Sequence, residues 1–162
     1  MQNRLEDFGL ELEEELSPED GLPEEAPIQQ TFVLIKPDGV ARGLIGKVIR
    51  RLEVTGLKLK HIKIGQYPKE IFEELYVEHR NKEHFALLIE FMTSGQVVPM
   101  VWEGPHAVKR VRFIVGPTNP NEAPKWTIRG ALNDGSGIIR QNIVHAADSI
   151  ESAEREIKLF FS

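Results

Sequence analysis

His145 is the residue of this sequence whose surroundings best suit nucleophilic chemistry. It ends the short apolar run Ile143-Val144-His145, and the small Ala146 and Ala147 that follow leave room for an incoming group. A neutral imidazole is a competent nucleophile, and an unperturbed histidine is largely neutral near the pH of a cell. Glu156 follows eleven residues later and could accept an imidazole N–H, which would fix the tautomer. The competing interpretation is a core histidine with no chemical role.

Three cations and two polar side chains are candidates for binding an anion beside that histidine. Lys36 ends a short apolar run, while Arg112 and Arg129 flank a long loop, with Thr118 and Asn142 nearby in sequence. Arginine forks match phosphate oxygens in pairs, whereas lysine acts as a point charge. Each of them could also be an ordinary surface charge at the end of a strand. Their grouping with His145 is the less usual feature, and it favours a site for anions.

The residue types exclude several other kinds of site. Cysteine is absent, so disulfides, thiol nucleophiles and cysteine-based zinc sites are ruled out. Residues 43–48 look superficially like a phosphate loop, but the first glycine and the Ser/Thr after the lysine are missing. The chain has no GxSxG elbow and no HExxH motif, and its five histidines lack metal-ligand spacing. We therefore expect no metal site built by the protein.

Charge is distributed unevenly along the chain. The formal net charge of -5 comes from 25 acidic and 20 basic residues. Residues 1–30 contain ten of those acids and one base, Arg4, whereas residues 31–162 contain 15 acids and 19 bases. The sequence therefore predicts an acidic, flexible N-terminal extension over 1–30 and a mildly basic domain over 31–162. The alternative for the extension is a segment that docks on a basic surface.

Neither a membrane span nor a secretory signal is predicted. No apolar run approaches the roughly 20 residues that cross a bilayer. Met1 is followed by polar and acidic residues rather than by a basic start and an apolar stretch. We expect a cytoplasmic protein that has no membrane partner.

Four strands and five main helices must position the candidate residues. Turn chemistry at Lys36-Pro37-Asp38-Gly39 follows the first strand, and Gly116–Gly137 predicts a long connection with at most short helical turns. The predicted strands cover 31–35, 57–67, 97–102 and 142–146. The predicted helices cover 44–53, 68–76 with Pro68 as the first helical residue, 83–92, 107–115 and a last helix opened by Ser149.

This order of elements predicts an α+β fold. Strands and helices that alternate as β-α-β-α(α)-β-α-β-α are typical of the ferredoxin-like split βαβ sandwich, a four-stranded antiparallel sheet covered by helices. That fold carries many unrelated functions, so the fold by itself decides none of them.

Five motifs in register along the chain point to one family. They are Lys36-Pro37-Asp38-Gly39-Val40-Ala41-Arg42-Gly43-Leu44-Ile45-Gly46, Ser94-Gly95 through Val101-Trp102-Glu103-Gly104, Gly116-Pro117-Thr118-Asn119-Pro120, Thr127-Ile128-Arg129-Gly130 and Asn142-Ile143-Val144-His145. With these motifs, residues 31–161 resemble the nucleoside diphosphate kinases.

The resemblance implies a ping-pong transfer of the γ-phosphate from a nucleoside triphosphate such as ATP, through a phosphohistidine at His145, to a nucleoside diphosphate. Glu156 would support the histidine, and Mg²⁺ would arrive with the nucleotide, without protein ligands. The family is oligomeric, so a homo-oligomer, hexamer or tetramer, is expected. The resemblance assigns nucleotide contacts to Lys36, Tyr76, His84, Leu88, Arg112, Thr118, Arg129 and Asn142.

The sequence also departs from the family pattern close to these positions. Ala147 stands where a serine is usual, His84 where an aromatic stacks on the base, and Trp126 where glycine is common. Ala131 replaces a common aspartate, and residues 133–137 form a longer stretch than is typical. The alternative function is therefore a nucleotide-binding or regulatory homologue with weak transfer activity. Nucleic acid is an unexpected partner, because the aromatic strand signature of RNA-binding sheets is missing.

Overall fold

The computed structural model describes residues 26–162. Its strands are β1 (Ile28–Ile35), β2 (Lys58–Ile62), β3 (Val98–Pro105) and β4 (Val144–Ala146). Its helices are α1 (Pro37–Ala41), α2 (Ile45–Val54), α3 (Lys69–Leu75), α4 (Phe85–Met92), α5 (Ala107–Val115), α6 (Ile128–Ala131) and α7 (Ile150–Phe161). Short 3-10 turns lie at Val77–His79 and Pro120–Glu122. Most of the predicted acidic extension lies outside the described residues.

The four strands form one antiparallel sheet in the order β2-β3-β1-β4. In the register of the two central strands Phe32 faces Val101, and on the other side of β1 Leu34 faces His145. With helices packed on the sheet, this order confirms the predicted ferredoxin-like fold.

The last five residues of β1, Thr31–Ile35, are buried, and they separate two apolar clusters on the two faces of the sheet. Val33 and Ile35 pack with Trp102 on the side of α2 and α5. Phe32 and Leu34 point to the side of α3, α4 and α7. Side chains alternate along a strand, so an uninterrupted apolar run such as this one is what a strand covered on both sides requires.

Residues 37–41 form a short helix where the sequence predicted a turn. Pro37 presets the backbone for the first helical position, and Lys36 before it is extended, with φ -76° and ψ 166°. Gly39 is needed here because a Cβ would lie 2.8 Å from the Cγ2 of Ile35. The helix therefore packs closely over the end of β1 and fixes the direction in which Lys36 leaves it.

Several element boundaries also differ from prediction. Strand β1 starts at Ile28, three residues early, and β2 ends at Ile62, with only an isolated bridge at Gly65 beyond it. Pro68 caps α3 instead of being its first helical residue. Strand β4 starts at Val144 because Ile143 has a φ of 75°, a left-handed conformation that a strand cannot contain.

The longest helix in the described part, α7, has 12 residues. None of the helices described here is long and apolar enough to cross a membrane.

Candidate active site

Strand β4 places His145 on the α7 side of the sheet. Its neighbours Val144 and Ala146 are buried on the opposite face, so the alternation of the strand turns the imidazole outward. Tyr76 meets the imidazole edge-on with ring centroids 5.3 Å apart, and Phe32 lies 6.0 Å away. The side chain keeps 16% of its surface exposed. His145 is therefore held between aromatic rings with one edge open.

Glu156 holds the imidazole from helix α7. Ser149 caps the start of that helix by accepting a hydrogen bond from the Ser152 N–H at 3.0 Å, which fixes its entry beside β4. Two turns later the Oε1 of Glu156 lies 2.5 Å from the Nε2 of His145, and the carboxylate side chain is 3% exposed. A buried carboxylate so placed accepts the Nε2–H, which leaves Nδ1 with a free lone pair.

A chain of hydrogen bonds connects the end of β1 to the long loop. The Nζ of Lys36 donates to the Oδ1 of Asn142 at 2.7 Å and to the carbonyl of Arg140 at 3.3 Å. The amide of Asn142 in turn donates to the carbonyl of Thr118 at 2.8 Å. One of the three ammonium hydrogens of Lys36 therefore remains available to a ligand.

Arg129 connects the loop to β4 from helix α6. The hydroxyl of Thr127 caps this helix by accepting from the Gly130 N–H. The guanidinium donates to the carbonyls of Asn142 (3.3 Å), Gly116 (2.9 Å) and Val144 (2.7 Å). Two of its five N–H groups stay available, so Arg129 ties the backbone just before His145 to the loop at Gly116 and still offers charge.

Burial changes the proton affinity of these cations. Desolvation, with the positive charge of Arg129 nearby, lowers the pKa of Lys36 from 10.5 to about 7. Burial, followed by repulsion from Arg112, lowers the pKa of Arg129 to about 10. Burial also raises the pKa of Tyr76, which keeps its phenol protonated. Burial and mutual repulsion therefore disfavour the charged forms of Lys36 and Arg129, and an anionic ligand would stabilise those forms.

These elements surround a cavity of about 750 Å³. Arg112 borders it from α5 and donates to the carbonyl of Ala146 at 3.4 Å. The cavity lining includes all ten candidate site residues: Lys36, Tyr76, His84, Leu88, Arg112, Thr118, Arg129, Asn142, His145 and Glu156.

The far wall of the cavity comes from α3, α4 and the turn between them. The Nδ1 of His79 lies 3.2 Å from the Nε2 of His84, so one ring donates a hydrogen bond and the other accepts it. Leu88 is buried beneath them, and Leu87 is 52% exposed beside the cavity. This wall is more apolar than the side of the cavity that carries Lys36 and Arg129, which suits a flat ring rather than phosphates.

Several lining residues were missed by the sequence prediction. Asp148, Ser152 and Arg155 line the cavity together with Glu156. Ser152 and Arg155 share a helix face with Glu156, so helical spacing would have identified both. His79 could have been found from its position one turn after Tyr76. Residues 137–140 also border the cavity, and no pattern in the sequence indicated them.

Two of the family departures lie away from the cavity lining. The indole of Trp126 packs on Phe113 of α5 with ring centroids 4.8 Å apart, and its carbonyl accepts from Arg51. Ala147 is buried in the apolar cluster beneath α7, and its N–H donates to the carbonyl of Phe32 at 3.0 Å. His84, by contrast, lines the cavity directly.

Three carboxylates, those of Glu78, Asp148 and Glu156, line the cavity. Among residues 26–162 no three His, Cys, Asp or Glu side chains are grouped so that they could hold an ion. Glu156 is engaged with His145, and the Oδ2 of Asp38 accepts from the Ile143 N–H at 3.1 Å. Glu156 and Asp38 are therefore already committed to bonds within the protein.

Known proteins resemble this chain in sequence and in structure. Residues 29–162 match the family model described as nucleoside diphosphate kinase. A nucleoside diphosphate kinase from Archaeoglobus fulgidus is 53% identical over 135 residues, which covers 83% of this chain and 87% of that protein. One from Hyperthermus butylicus is 50% identical over 138 residues, which covers 84% and 94%.

Solved structures show the same similarity. The halophilic nucleoside diphosphate kinase of Halobacterium salinarum, in complex with CDP, superposes with a TM-score of 0.78 at 43% identity and covers 84% of this chain and 89% of that one. The Aquifex aeolicus nucleoside diphosphate kinase superposes with a TM-score of 0.78 at 39% identity and covers 84% and 96%.

Proposed function

The chain belongs to the nucleoside diphosphate kinase family, and we propose that it moves the γ-phosphate of a nucleoside triphosphate such as ATP to a nucleoside diphosphate by way of a phosphohistidine at His145. The observation that carries the proposal is the 2.5 Å contact between the Nε2 of His145 and the buried Glu156. That contact leaves Nδ1 as the nitrogen able to attack phosphorus, at the edge of a cavity lined by cations.

The first half-reaction forms one bond and breaks another at the γ-phosphorus. The lone pair of Nδ1 attacks phosphorus, the bond to the β–γ bridging oxygen breaks, and the nucleoside diphosphate leaves with that electron pair. Positive charge then develops on the imidazole, which the carboxylate of Glu156 stabilises through Nε2–H.

The second half-reaction reverses these changes with another nucleotide. A terminal β-phosphate oxygen of the second nucleoside diphosphate attacks the phosphohistidine, and the N–P bond breaks. The electron pair returns to Nδ1, so His145 ends each cycle in the form in which it began. A single cavity therefore serves donor and acceptor in turn, which is the requirement of a ping-pong mechanism.

Lys36, Arg112 and Arg129 provide the charge that phosphoryl transfer requires. The transferring group spreads negative charge over its equatorial oxygens, and catalysis of such a reaction is mostly positioning and electrostatics. Lys36 and Arg129 are already oriented by hydrogen bonds to Asn142, so they need little rearrangement when phosphates bind. We assign Thr118 and Asn142 to the polar groups of the nucleotide, and Tyr76, His84 and Leu88 to the wall on its base side.

Mg²⁺ enters this scheme as part of the nucleotide substrate. Its ligands would be phosphate oxygens and water, as is usual for this ion in nucleotide sites. The chain's own contribution is to hold the phosphates that carry the ion.

Labelling with γ-³²P ATP and then adding GDP tests the proposal. We expect one acid-labile label per active site, which disappears from the protein and appears in GTP when GDP is added. In His145→Ala both the label and the transfer should be lost while the protein remains folded. The proposal would be refuted if the wild-type protein took up no label, or if His145→Ala transferred phosphate at an unchanged rate.

A matched control uses His79, one of the two histidines at the opposite wall. His79→Gln keeps a polar side chain there and leaves His145 and Glu156 intact, so labelling should persist. If His79→Gln lost the label and His145→Ala kept it, the phosphorylated residue would be His79 and not His145.

We also propose that the protein works as a homo-oligomer, hexamer or tetramer, in the cytoplasm. Strand β2 lies at the edge of the sheet, and its last residue, Ile62, and the nearby Ile64 are 46% and 58% exposed. Exposed apolar side chains on a sheet edge favour pairing with another chain. Light scattering of the purified chain should give a multiple of 18.4 kDa, and cell fractionation tests the location.

A further inference from the structure

The two helical layers of the fold carry opposite charge. Helices α2 and α5, on one face of the sheet, hold six basic residues and a single acid, Glu53. Helices α3, α4 and α7, on the other face, hold seven acids and three bases. We define the basic face as the residues of α2 and α5 outside the cavity: Lys47, Arg50, Arg51, Lys109 and Arg110.

The two helices that carry the basic face lie next to one another. The Nη1 of Arg110 donates to the carbonyl of Thr55, immediately after α2, at 3.0 Å. Lys47 and Lys109 lie exposed on the two helices. Exposed basic side chains attract anionic chains over a Debye length of about 8–10 Å.

A strongly acidic segment of the same chain begins next to this face. Residues 1–25, outside the described part, contain ten acids and one base, Arg4. The first strand residue, Ile28, is paired with Pro105, two residues before the start of α5. The side-chain oxygen of Gln29 accepts from the Val108 N–H in the first turn of α5 at 3.4 Å. The acidic segment therefore joins the domain beside the N-terminus of α5.

We propose that residues 1–25 dock on the basic face of their own chain, with their carboxylates against Lys47 and Lys109. The acidic layer on the opposite side of the sheet repels the same segment, so the charge of the domain selects the face. The positive end of the α5 dipole adds to the attraction where the segment begins.

Tethering makes this docking effective although each ion pair is weak. Exposed pairs contribute little one by one, but a segment attached a few residues away has an effective concentration of the order of millimolar. An extended 25-residue segment spans about 80 Å at about 3.3 Å per residue, so it can reach from the start of β1 across both helices.

A single fluorescent probe in the full chain tests the proposal. Because the sequence has no cysteine, Glu13→Cys provides one labelling site within the acidic segment. We expect the anisotropy of the probe to be at least about twofold higher than that of a free peptide of residues 1–25 with the same probe. High salt should bring it back toward the peptide value.

Matched charge reversals decide where the segment binds. Lys47→Glu with Lys109→Glu should lower the anisotropy as salt does, whereas Lys69→Glu with Lys158→Glu, on the acidic layer, should leave it unchanged. Saturating ADP should also leave it unchanged, because the basic face lies outside the cavity. The proposal is overturned by a peptide-like anisotropy at every salt concentration, by equal effects of both reversals, or by release with ADP.

Carbodiimide cross-linking of the full chain, without the probe, identifies the partner chain. Docking within one chain predicts amide bonds from residues 6–25 to Lys47 or Lys109 in a band that runs as a single chain on a denaturing gel. Cross-links found only in a two-chain band would contradict the proposal and place the segment on a neighbouring copy.

Discussion

The carboxylate of Glu156 lies 2.5 Å from the Nε2 of His145 and is itself almost fully buried. Replacing it with an amide, Glu156→Gln, keeps the shape but removes the negative charge that stabilises a developing imidazolium. The amide can also donate to Nε2, which favours the tautomer with a proton on the attacking Nδ1. We expect the rate of His145 phosphorylation to fall about 10²-fold or more, measured by rapid quench with labelled ATP.

Nucleotide binding separates this effect from misfolding. The dissociation constant for ADP should change little in Glu156→Gln, because Glu156 holds the histidine and not the phosphates. Glu154→Gln, an exposed neighbour in the same helix, serves as the matched control and should phosphorylate at the wild-type rate. If Glu156→Gln kept the wild-type rate, Glu156 would have no role in orienting His145.

Lys36 should make nucleotide binding depend on proton uptake. Its pKa of about 7 in the empty cavity means that much of the population is neutral above that pH. Bound phosphates favour the ammonium form, so at pH 8 ADP binding should take up about one proton. Calorimetry in buffers with different ionisation enthalpies measures this uptake. Lys36→Met should abolish it, and equal apparent enthalpies in all buffers for the wild type would contradict the assignment.

The low pKa of Lys36 also makes the free energy of unfolding depend on pH. Lys36 binds a proton less readily in the folded protein, with a pKa of about 7, than in the unfolded chain, where the ordinary value is 10.5. Between those two values the unfolded chain holds more protons, so the contribution of Lys36 to the free energy of unfolding rises with pH across that window. The difference between wild type and Lys36→Met in urea denaturation should follow this trend.

The sequence predicted the fold because strong local patterns encode it, and the resemblance to a known family assigned roles to ten residues that line the cavity. The apolar run of β1 and the spacing in α2, α5 and α7 determine which faces are buried. The motifs contain Lys36, Arg129 and His145, and these three residues meet around one cavity. All ten site residues line the cavity, while their individual roles stay predictions.

What could not be predicted depends on contacts between distant segments. The positive φ of Ile143 accompanies two long-range hydrogen bonds, from the Lys36 N–H to its carbonyl and from its own N–H to Asp38. No local pattern encodes that pairing, so β4 was predicted two residues too long. The hydrogen bonds of Arg129 to three backbone carbonyls were hidden for the same reason.

Arg129→Lys should destabilise the loop as well as slow transfer. A lysine cannot reproduce three donors in a fixed planar array, so at least two buried carbonyls would lose their partners. We expect a loss of about 2–4 kcal/mol in the free energy of unfolding, measured by urea denaturation. Arg140→Lys, at an exposed position bordering the same cavity, should cost less than about 0.5 kcal/mol. Equal stability of the two variants would show that the Arg129 bonds are not structural.

Ala147→Ser should speed phosphoryl transfer, because it offers a partner to a carboxylate oxygen that lacks one. In the described part of the chain the Oε2 of Glu156 is buried and accepts no hydrogen bond. Ala147 packs in the same cluster as Ala153, one helical turn before Glu156. A hydroxyl bond to that oxygen contributes about 0.5–1.5 kcal/mol, so kcat/KM should rise up to about tenfold.

The control for this change is Ala153→Ser, which puts a hydroxyl into the same cluster from the helix itself. It should lower stability without raising the rate, because Ser and Thr hydroxyls in helices bond back to their own backbone. If kcat/KM rose in Ala147→Ser and not in Ala153→Ser, the absence of a hydroxyl at position 147 would be shown to slow phosphoryl transfer in the wild type. If kcat/KM did not rise and the wild type already turned over rapidly, Glu156 would orient His145 through Oε1 alone. That result would also remove the sequence-based argument for a homologue with weak transfer activity.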